Sequence, residues 1–482
     1  MSTEAIQESE FLREFTREMR NKNAAVFAGA GLSMASGYVD WKGLLRDVIR
    51  DLGLSPEKEH DLVTLAQYYC NQSGGNRTRL AQTLFDHFRT TKTPTVNHRI
   101  LALLPIYTFW TTNYDKLIEK ALEEAKKIPD VKHDIKQLTV TRQDRDVAVY
   151  KMHGDVDSAS EAVITKEDYE AYPSRMEPFV SALRGDLIEK TFLFLGFSFT
   201  DPNIDYILSR VRVRYGNIQR QHYCIQKNVS RNHGESAVDF KHRQLKQHYF
   251  IQDLKRFGIL TVLVNDYPDI TVLLHKLAAC YKLSSIFISG AAESYGTWTP
   301  KAAEQFLHDL GKEIVSGKNR LITGFGVGVG SAVLNGALEH LDNADKTVSD
   351  HDVILRPFPQ VATGGKSLTS RWTDYRRAMI DYAGIAVFVF GNKKGATGIV
   401  PSNGMREEFE QCIQAGVKPL PIGATGFMAK TLWKEVSSGL TKHFPSANKQ
   451  FIKEFKKLGD ETRGATKLLA TIQKLVEQIQ KG

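Results

Sequence analysis

Twice along these 482 residues a short apolar run ends in a glycine cluster that opens a helical pattern. Ala24 to Ala28 delivers the chain into Gly29-Ala30-Gly31, with Ser33 and Gly37 beyond it. Leu321 to Thr323 delivers it into Gly324-Phe325-Gly326-Val327-Gly328-Val329-Gly330. Strand, glycine turn and helix N-terminus in that order make an anion cradle. Glycine lets a phosphate approach the backbone, and the helix supplies free N–H groups and the positive end of its dipole. A single GxG reads equally well as a tight turn. The strand before and the helix after favour a nucleotide, because open parallel sheets bind ligands past the carboxyl ends of their strands.

The rest of the chain repeats the pattern. Ile6, Phe11, Leu12, Phe15 and Met19 recur at helical spacing, so the chain opens with an amphipathic helix. Helical patterns continue to about Leu104. Strand-like runs follow at Tyr107–Thr111, Val147–Met152, Phe192–Leu195 and Ile259–Val264, with helical stretches between. A second alternation starts near Ser284, with strands at Ile286–Ser289, Leu321–Thr323, Val353–Pro357 and Ile385–Phe390, and a basic helical tail from about Asn448. Alternating strands and helices predict parallel sheets covered on both faces. The length calls for two or three domains, and the boundary falls where a helix ends near Lys282, giving 1–282 and 283–482.

With 42% hydrophobic and 25% charged residues, the chain is an ordinary globular protein. No apolar run nears the roughly 20 residues that span a bilayer. The polar stretch Met1 to Glu10 lacks the features of a signal peptide, so a cytoplasmic, membrane-free protein is expected. Cys70, Cys224, Cys280 and Cys412 are scattered, which predicts no metal site and no disulfide framework. The net charge of +9 concentrates around Lys241, His242, Arg243, Lys246, Lys255, Arg256 and the tail. Without interleaved aromatics, these read as solvated helix faces and attraction for a nucleotide rather than as a nucleic-acid surface.

Three further polar clusters sit just past strands: Thr112-Asn113-Tyr114-Asp115, His153-Gly154 and Gly196-Phe197-Ser198. Each alone could be a loop cap, but their joint order resembles the sirtuin family, which carries GAGxS…GxPDFR, TQNxD, HG and GxS. Here the matches are Gly29-Ala30-Gly31-Leu32-Ser33, Gly37, Asp40-Trp41-Lys42, Asn113-x-Asp115, His153-Gly154 and Gly196-x-Ser198, over roughly residues 10–280. The resemblance implies NAD as substrate. It implies that Ala28, Gly29, Ala30, Gly31, Ser33, Asp40, Asp115, Gly196 and Ser198 bind NAD, with Asn113 and His153 catalytic. The chemistry fits these residue types. Loss of nicotinamide leaves an oxocarbenium-like ribose, and a histidine can take a proton at neutral pH. The four-cysteine zinc module of sirtuin deacetylases has no counterpart, and their PDFR segment is changed at Val39, Trp41 and Lys42. Water is therefore the expected acceptor, and hydrolysis is favoured over deacylation.

The second half resembles the SLOG family of Rossmann-like nucleotide binders, related to LOG phosphoribohydrolases. LOG enzymes carry an RK pair on one helix and GTxxE on another. Arg376-Arg377 and Gly404-Met405-Arg406-Glu407-Glu408 match these, but the PGG before GTxxE is missing. A sensor is therefore expected, holding a signal nucleotide through Ser289, Gly290, Gly324, Gly326, Gly328, Arg376, Lys393 and Glu408. The fold class is then α/β: two Rossmann-like parallel-sheet domains, sirtuin-like then SLOG/LOG-like, with a helical C-terminal tail.

A sirtuin-like half followed by a SLOG half is similar to the effectors of Thoeris antiphage defence. That resemblance implies an NAD+ glycohydrolase activated by a cyclic ADP-ribose isomer made by a TIR-domain protein, assembled as a homotetramer, whose NAD depletion protects against phage. Three alternatives stay open: an NAD-dependent protein deacylase, a non-catalytic nucleotide-sensing module, and an NADase triggered by nucleic acid.

Overall fold

The computed structural model describes residues 5–481 apart from 91, 351, 360, 362–364 and 366. The chain forms two compact units, residues 1–278 and 279–482. Each is built on a parallel sheet with helices on its faces. Among the described residues, no helix is long and apolar enough to cross a membrane.

The first unit carries β1 (Ala24–Ala28), β2 (Thr108–Thr111), β3 (Pro129–Lys132), β4 (Val147–Lys151), β5 (Thr191–Leu195), β6 (His222–Lys227) and β7 (Ile259–Val264). They lie in the order β3-β4-β2-β1-β5-β6-β7, every pair parallel. Every residue of β1, β2 and β5 is buried, as expected for central strands covered on both faces. The aromatic core runs along one face, with Phe27 and Phe194 stacked at 5.3 Å and Trp110 stacked on Tyr150 at 4.2 Å. The opening helix, Glu8–Arg20, buries Phe11, Phe15 and Met19.

Between β1 and β2 the chain makes helices at Trp41–Leu44, Arg46–Asp51, Leu62–Gln72, Thr78–Phe88 and Val96–Leu103. The first four share a separate small core with Tyr114, Leu117, Val156 and Ile164. This lobe stands over the carboxyl ends of β1 and β2. β1 lies between β2 and β5: the chain crosses from β1 to β2 on one side and from β4 back to β5 on the other. That reversal opens the crevice where parallel sheets take ligands.

The second unit carries β8 (Ser285–Ala291), β9 (Arg320–Thr323), β10 (Val353–Leu355), β11 (Ile385–Phe390), the antiparallel hairpin β12 (Asn392–Gly395) and β13 (Gly398–Pro401), and β14 (Lys418–Pro421). Its main sheet has the order β10-β9-β8-β11-β14, all parallel. The C-terminal helices Lys449–Lys456 and Ala465–Lys481 are part of this unit's core rather than an appendage. They bury Phe451, Phe455, Leu468, Ile472, Leu475 and Ile479. Gln480 Nε2 ties the last helix down, donating to the carbonyl of Leu283 at 2.9 Å and to Asn319 Oδ1 at 2.7 Å.

Candidate active site

At the switch point, the loops after β1 and β5 interlock. The Gly29 N–H donates to the Leu195 carbonyl and the Gly31 N–H to the Gly196 carbonyl, both at 2.9 Å. A β-carbon on Gly31 would come 2.9 Å from Gly196 Cα, and one on Gly29 2.7 Å from Phe197 Cα. The glycines of the first cluster are thus required by the neighbouring loop before any ligand arrives. Gly196 itself has φ +61°, a conformation that favours glycine.

The Asn113 side chain is buried in the crevice. Its Nδ2 donates to the Gly29 carbonyl at 3.1 Å and to Ser33 Oγ at 3.0 Å. The loop carrying it leaves β2 through Thr111, whose hydroxyl donates to the Ala28 carbonyl and accepts from the Asn113 N–H. Asp115 is also buried. Its Oδ1 accepts from the Leu117 N–H at 2.9 Å, where the helix Leu117–Glu124 begins. Burial pushes the Asp115 carboxyl upward, opposed by the Leu117 N–H, the Ser33 hydroxyl and the charge of Lys151. Asn113, Ser33 and Asp115 line a small pocket, with Trp41 and Phe88 as apolar walls.

A larger cleft of about 730 Å³ adjoins it and shares Ala30, Asp40, Trp41 and Thr112 with the small pocket. Gly31, Gly196 and Ser198 line this cleft, whose volume falls in the ordinary range for ligand sites, about 300–1,000 Å³. Ser198 Oγ lies 2.7 Å from Thr200 Oγ1, and Asp40 caps the helix Trp41–Leu44 by accepting from the Gly43 N–H. Ala28 is the last residue of β1, wholly buried.

His153 is the departure. Sequence reasoning puts it against the ribose, but its ring is wholly buried and lines neither the pocket nor the cleft. It lies edge-on to Tyr169 at 5.4 Å and to Tyr172 at 6.4 Å. Its Nε2 sits 3.2 Å from Asp201 Oδ2, off the line a hydrogen bond needs, and Nδ1 has no hydrogen-bonding partner. The physical reason lies in the neighbours: the Val163 N–H donates to the His153 carbonyl, and the Tyr172 hydroxyl donates to that of Met152. Both fasten the His153 turn inward.

Asp201 and Tyr169, by contrast, line the cleft. Asp201 Oδ1 accepts from the N–H groups of Asn203 and Ile204, and Oδ2 lies 3.3 Å from the Tyr169 hydroxyl. Burial works against the Asp201 anion, but His153, the Ile204 N–H and Tyr169 hold its carboxyl below the usual range. Sequence reasoning missed this carboxylate. The Asp201-Pro202 step, a helix N-cap followed by proline at the first helical position, was the signal available for it.

The second unit gathers a polar cluster at the carboxyl end of its sheet. Ser289 on β8 donates to Glu408 Oε2 at 2.5 Å. Arg376, on the helix Leu368–Ile380, bonds Glu407, lies with Nε 3.4 Å from Glu408 Oε1, and stacks 5.2 Å over the Phe358 ring. Burial raises the Glu408 carboxyl, opposed by Ser289 and Arg376. The structure separates the two arginines, Arg376 buried and Arg377 exposed. Lys393 and Lys394 are exposed on the β12–β13 hairpin, on successive and hence opposite faces. The glycine run fits against β8. A β-carbon on Gly326 or Gly328 would meet the backbone of Gly290 or Ala292, and one on Gly324 would come 2.7 Å from the Phe358 ring. Phe325 and Phe390 take positive φ, +58° and +56°, at this edge. Strained backbone of this kind costs about 1–3 kcal/mol and gathers at binding sites. Among the described residues, no group of three His, Cys, Asp or Glu could hold a metal ion.

Comparison with known proteins agrees with the division into two units. Residues 107–253 match the SIR2-like domain, and residues 269–479 match the Sir2- and TIR-associating SLOG family. The chain is 48% identical to the NAD(+) hydrolase ThsA of Bacillus cereus (strain MSX-D12), over 97% of each chain. It is 43% identical to that of Acinetobacter baumannii (strain 532279), over 96% of this chain and 97% of the other. Defense-associated sirtuin 2 of Bacillus subtilis is 27% identical over 49% of this chain and 24% of its own.

Proposed function

The chain belongs to the ThsA family of NAD(+) hydrolases, and from that premise we propose that the crevice of the first unit cleaves the nicotinamide–ribose bond of NAD, with water as acceptor. The observation that carries the site assignment is the buried Asn113–Ser33–Asp115 cluster, which lines a small pocket beside a cleft of about 730 Å³. The dinucleotide lies in the cleft along the Gly31 and Gly196 loops, and its nicotinamide ribose enters the small pocket. Breaking the C1′–N bond leaves neutral nicotinamide and an oxocarbenium-like sugar. Asn113 orients the ribose and the incoming water, and the buried Asp115 carboxylate supports the positive charge. As water adds to C1′, its proton passes out to the cleft, where the Asp201 carboxylate stands to accept it. The products are nicotinamide, ADP-ribose and a proton.

The second unit is the sensor. Arg376, Glu408 and Ser289 meet at the carboxyl edge of a parallel sheet, where a phosphate and a ribose diol find a guanidinium and a carboxylate. We assign its ligand as a cyclic ADP-ribose isomer supplied by a TIR-domain enzyme, a reading supported by the family description of this half. The ligand activates by binding the active arrangement more tightly than the resting one, with couplings typically of about 1–3 kcal/mol. The outcome is NAD depletion in antiviral defence.

Product analysis tests the catalytic part. With the activating isomer present, wild type should give nicotinamide and ADP-ribose in equal amounts, and a folded Asn113→Ala variant neither. Full turnover by Asn113→Ala overturns the site. Nicotinamide release only when an acylated peptide is present would make the protein a deacylase, and NAD binding without turnover would make it a sensor.

A further inference from the structure

Lys151, the last residue of β4, has a side chain with no exposed surface. Taking an ammonium out of water is costly unless its charge and its three donors are met. Here they are met by the loop that carries Asn113. Lys151 Nζ donates to the carbonyl of Asp115 at 2.7 Å and to that of Tyr114 at 3.2 Å. It also donates to Glu119 Oε1 at 3.1 Å and to Asp155. Burial disfavours the charged form, but Glu119 and Asp155 outweigh it, so the ammonium stays protonated.

Tyr114 and Asp115 follow Asn113 directly, in a segment that is neither helix nor strand. The Tyr114 carbonyl otherwise accepts only from the Val156 N–H among the described backbone bonds. Buried carbonyls need partners, and the Tyr114 and Asp115 carbonyls share one side chain, two residues before His153. We propose that Lys151 is a positioning residue for NAD cleavage: its buried ammonium clamps the Asn113–Asp115 loop to the strand that leads into His153, fixing the separation of the two motifs. The inference rests on the NAD-hydrolase reading of this crevice. Lys151 touches neither the small pocket nor the cleft, so its effect passes through Asn113. A misplacement of about 1 Å at a reacting group costs on the order of 100-fold in rate.

The test compares wild type, Lys151→Met, Glu119→Gln and Asp155→Asn as full-length proteins. For Lys151→Met, kcat for NAD should fall about 100-fold. The Kd for NAD, measured by calorimetry on the inactive Asn113→Ala background with and without Lys151→Met, should change less than about threefold, because the cleft around Gly31 and Gly196 is untouched. A purely structural role would instead lower the active fraction and leave kcat per folded molecule unchanged. Hydrogen exchange of the amides from Thr112 to Lys116 should rise in Lys151→Met. That arm decides the clamp even if wild type fails to turn over NAD with every isomer of the panel, the outcome that defeats the NAD-hydrolase reading instead. Folded Lys151→Met with wild-type kcat, or with unchanged loop exchange, overturns the proposal. If Lys151→Met does not fold, the carboxylate variants decide. Each keeps the ammonium but loosens its hold, so kcat should fall threefold or more at unchanged Kd. Wild-type kcat in both variants overturns the proposal.

Discussion

Gly196→Ala should damage the first unit far more than an alanine at another left-handed glycine, Gly37. Both have positive φ, +61° and +85°, so each substitution carries a backbone cost of about 1–2 kcal/mol. At Gly37 nothing lies within 4 Å of the new β-carbon, and the cost ends there. At Gly196 the β-carbon would sit 2.6 Å from the Gly31 carbonyl carbon and 2.9 Å from Gly31 Cα, both backbone atoms that no rotamer change can move aside. Overpacking of that kind adds about 1–3 kcal/mol, for a total of about 2–5 kcal/mol. At about 2–4 °C per kcal/mol for domains near this size, calorimetry should show the first unit melting about 5–15 °C lower in Gly196→Ala and only a few degrees lower in Gly37→Ala. Turnover of NAD should fall with it, because relief of the clash pushes the Gly29–Leu32 turn out of place beneath Asn113. A Gly196→Ala protein that melts with Gly37→Ala and keeps wild-type turnover would refute the interlocked-loop account.

Two buried histidines set the acid limit of this unit. Burial lowers His98 to about 4 and His222 to about 3, while in the unfolded chain both titrate near 6.5. The unfolded chain therefore binds more protons between these values. Stability is intact above about pH 6.5 and falls as pH drops, by about 1.4 kcal/mol per pH unit for each histidine. His222→Gln should roughly halve the slope between pH 6 and 4.5 in thermal melts; an unchanged slope would place the acid sensitivity elsewhere. In the second unit, Arg376→Ala removes a charge-assisted contact worth about 1.5–3 kcal/mol. The activator concentration for half-maximal NAD cleavage should rise about 10- to 150-fold, with basal turnover unchanged, and a normal dose response would remove Arg376 from the sensor.

The central strands were legible because burial on both faces leaves near-continuous apolar runs: Ala24–Ala28, Phe192–Leu195 and Ile385–Phe390 need no context to be read. β3 and β14 were not, since Pro-Asp-Val-Lys and Lys-Pro-Leu-Pro lie at sheet edges, where proline costs no central ladder bond. β6, His-Tyr-Cys-Ile-Gln-Lys, hides a histidine whose Nδ1 accepts the Phe192 N–H. The hairpin β12–β13 is too short to show alternation. At the site, motif order placed Asn113, Asp115 and the glycine turns at one sheet edge. It could not show that Gly29 and Gly31 are glycines because Gly196 presses on them, nor that His153 points away from the cleft. The first depends on contacts between loops more than 100 residues apart in sequence, and the second on the packing of His153 against Tyr169, Tyr172 and Asp201. For the same reason Lys151 passed as an ordinary strand residue.

Ligand-controlled hydrolysis of NAD is tested by incubating the purified full-length protein with NAD in ¹⁸O-labelled water, alone and with each of a panel of cyclic ADP-ribose isomers, and resolving the products by chromatography and mass spectrometry. The predicted result is free nicotinamide with ADP-ribose carrying one ¹⁸O, formed with one isomer far faster than without it. NAD left intact under every condition, or ADP-ribose without the label, would contradict it.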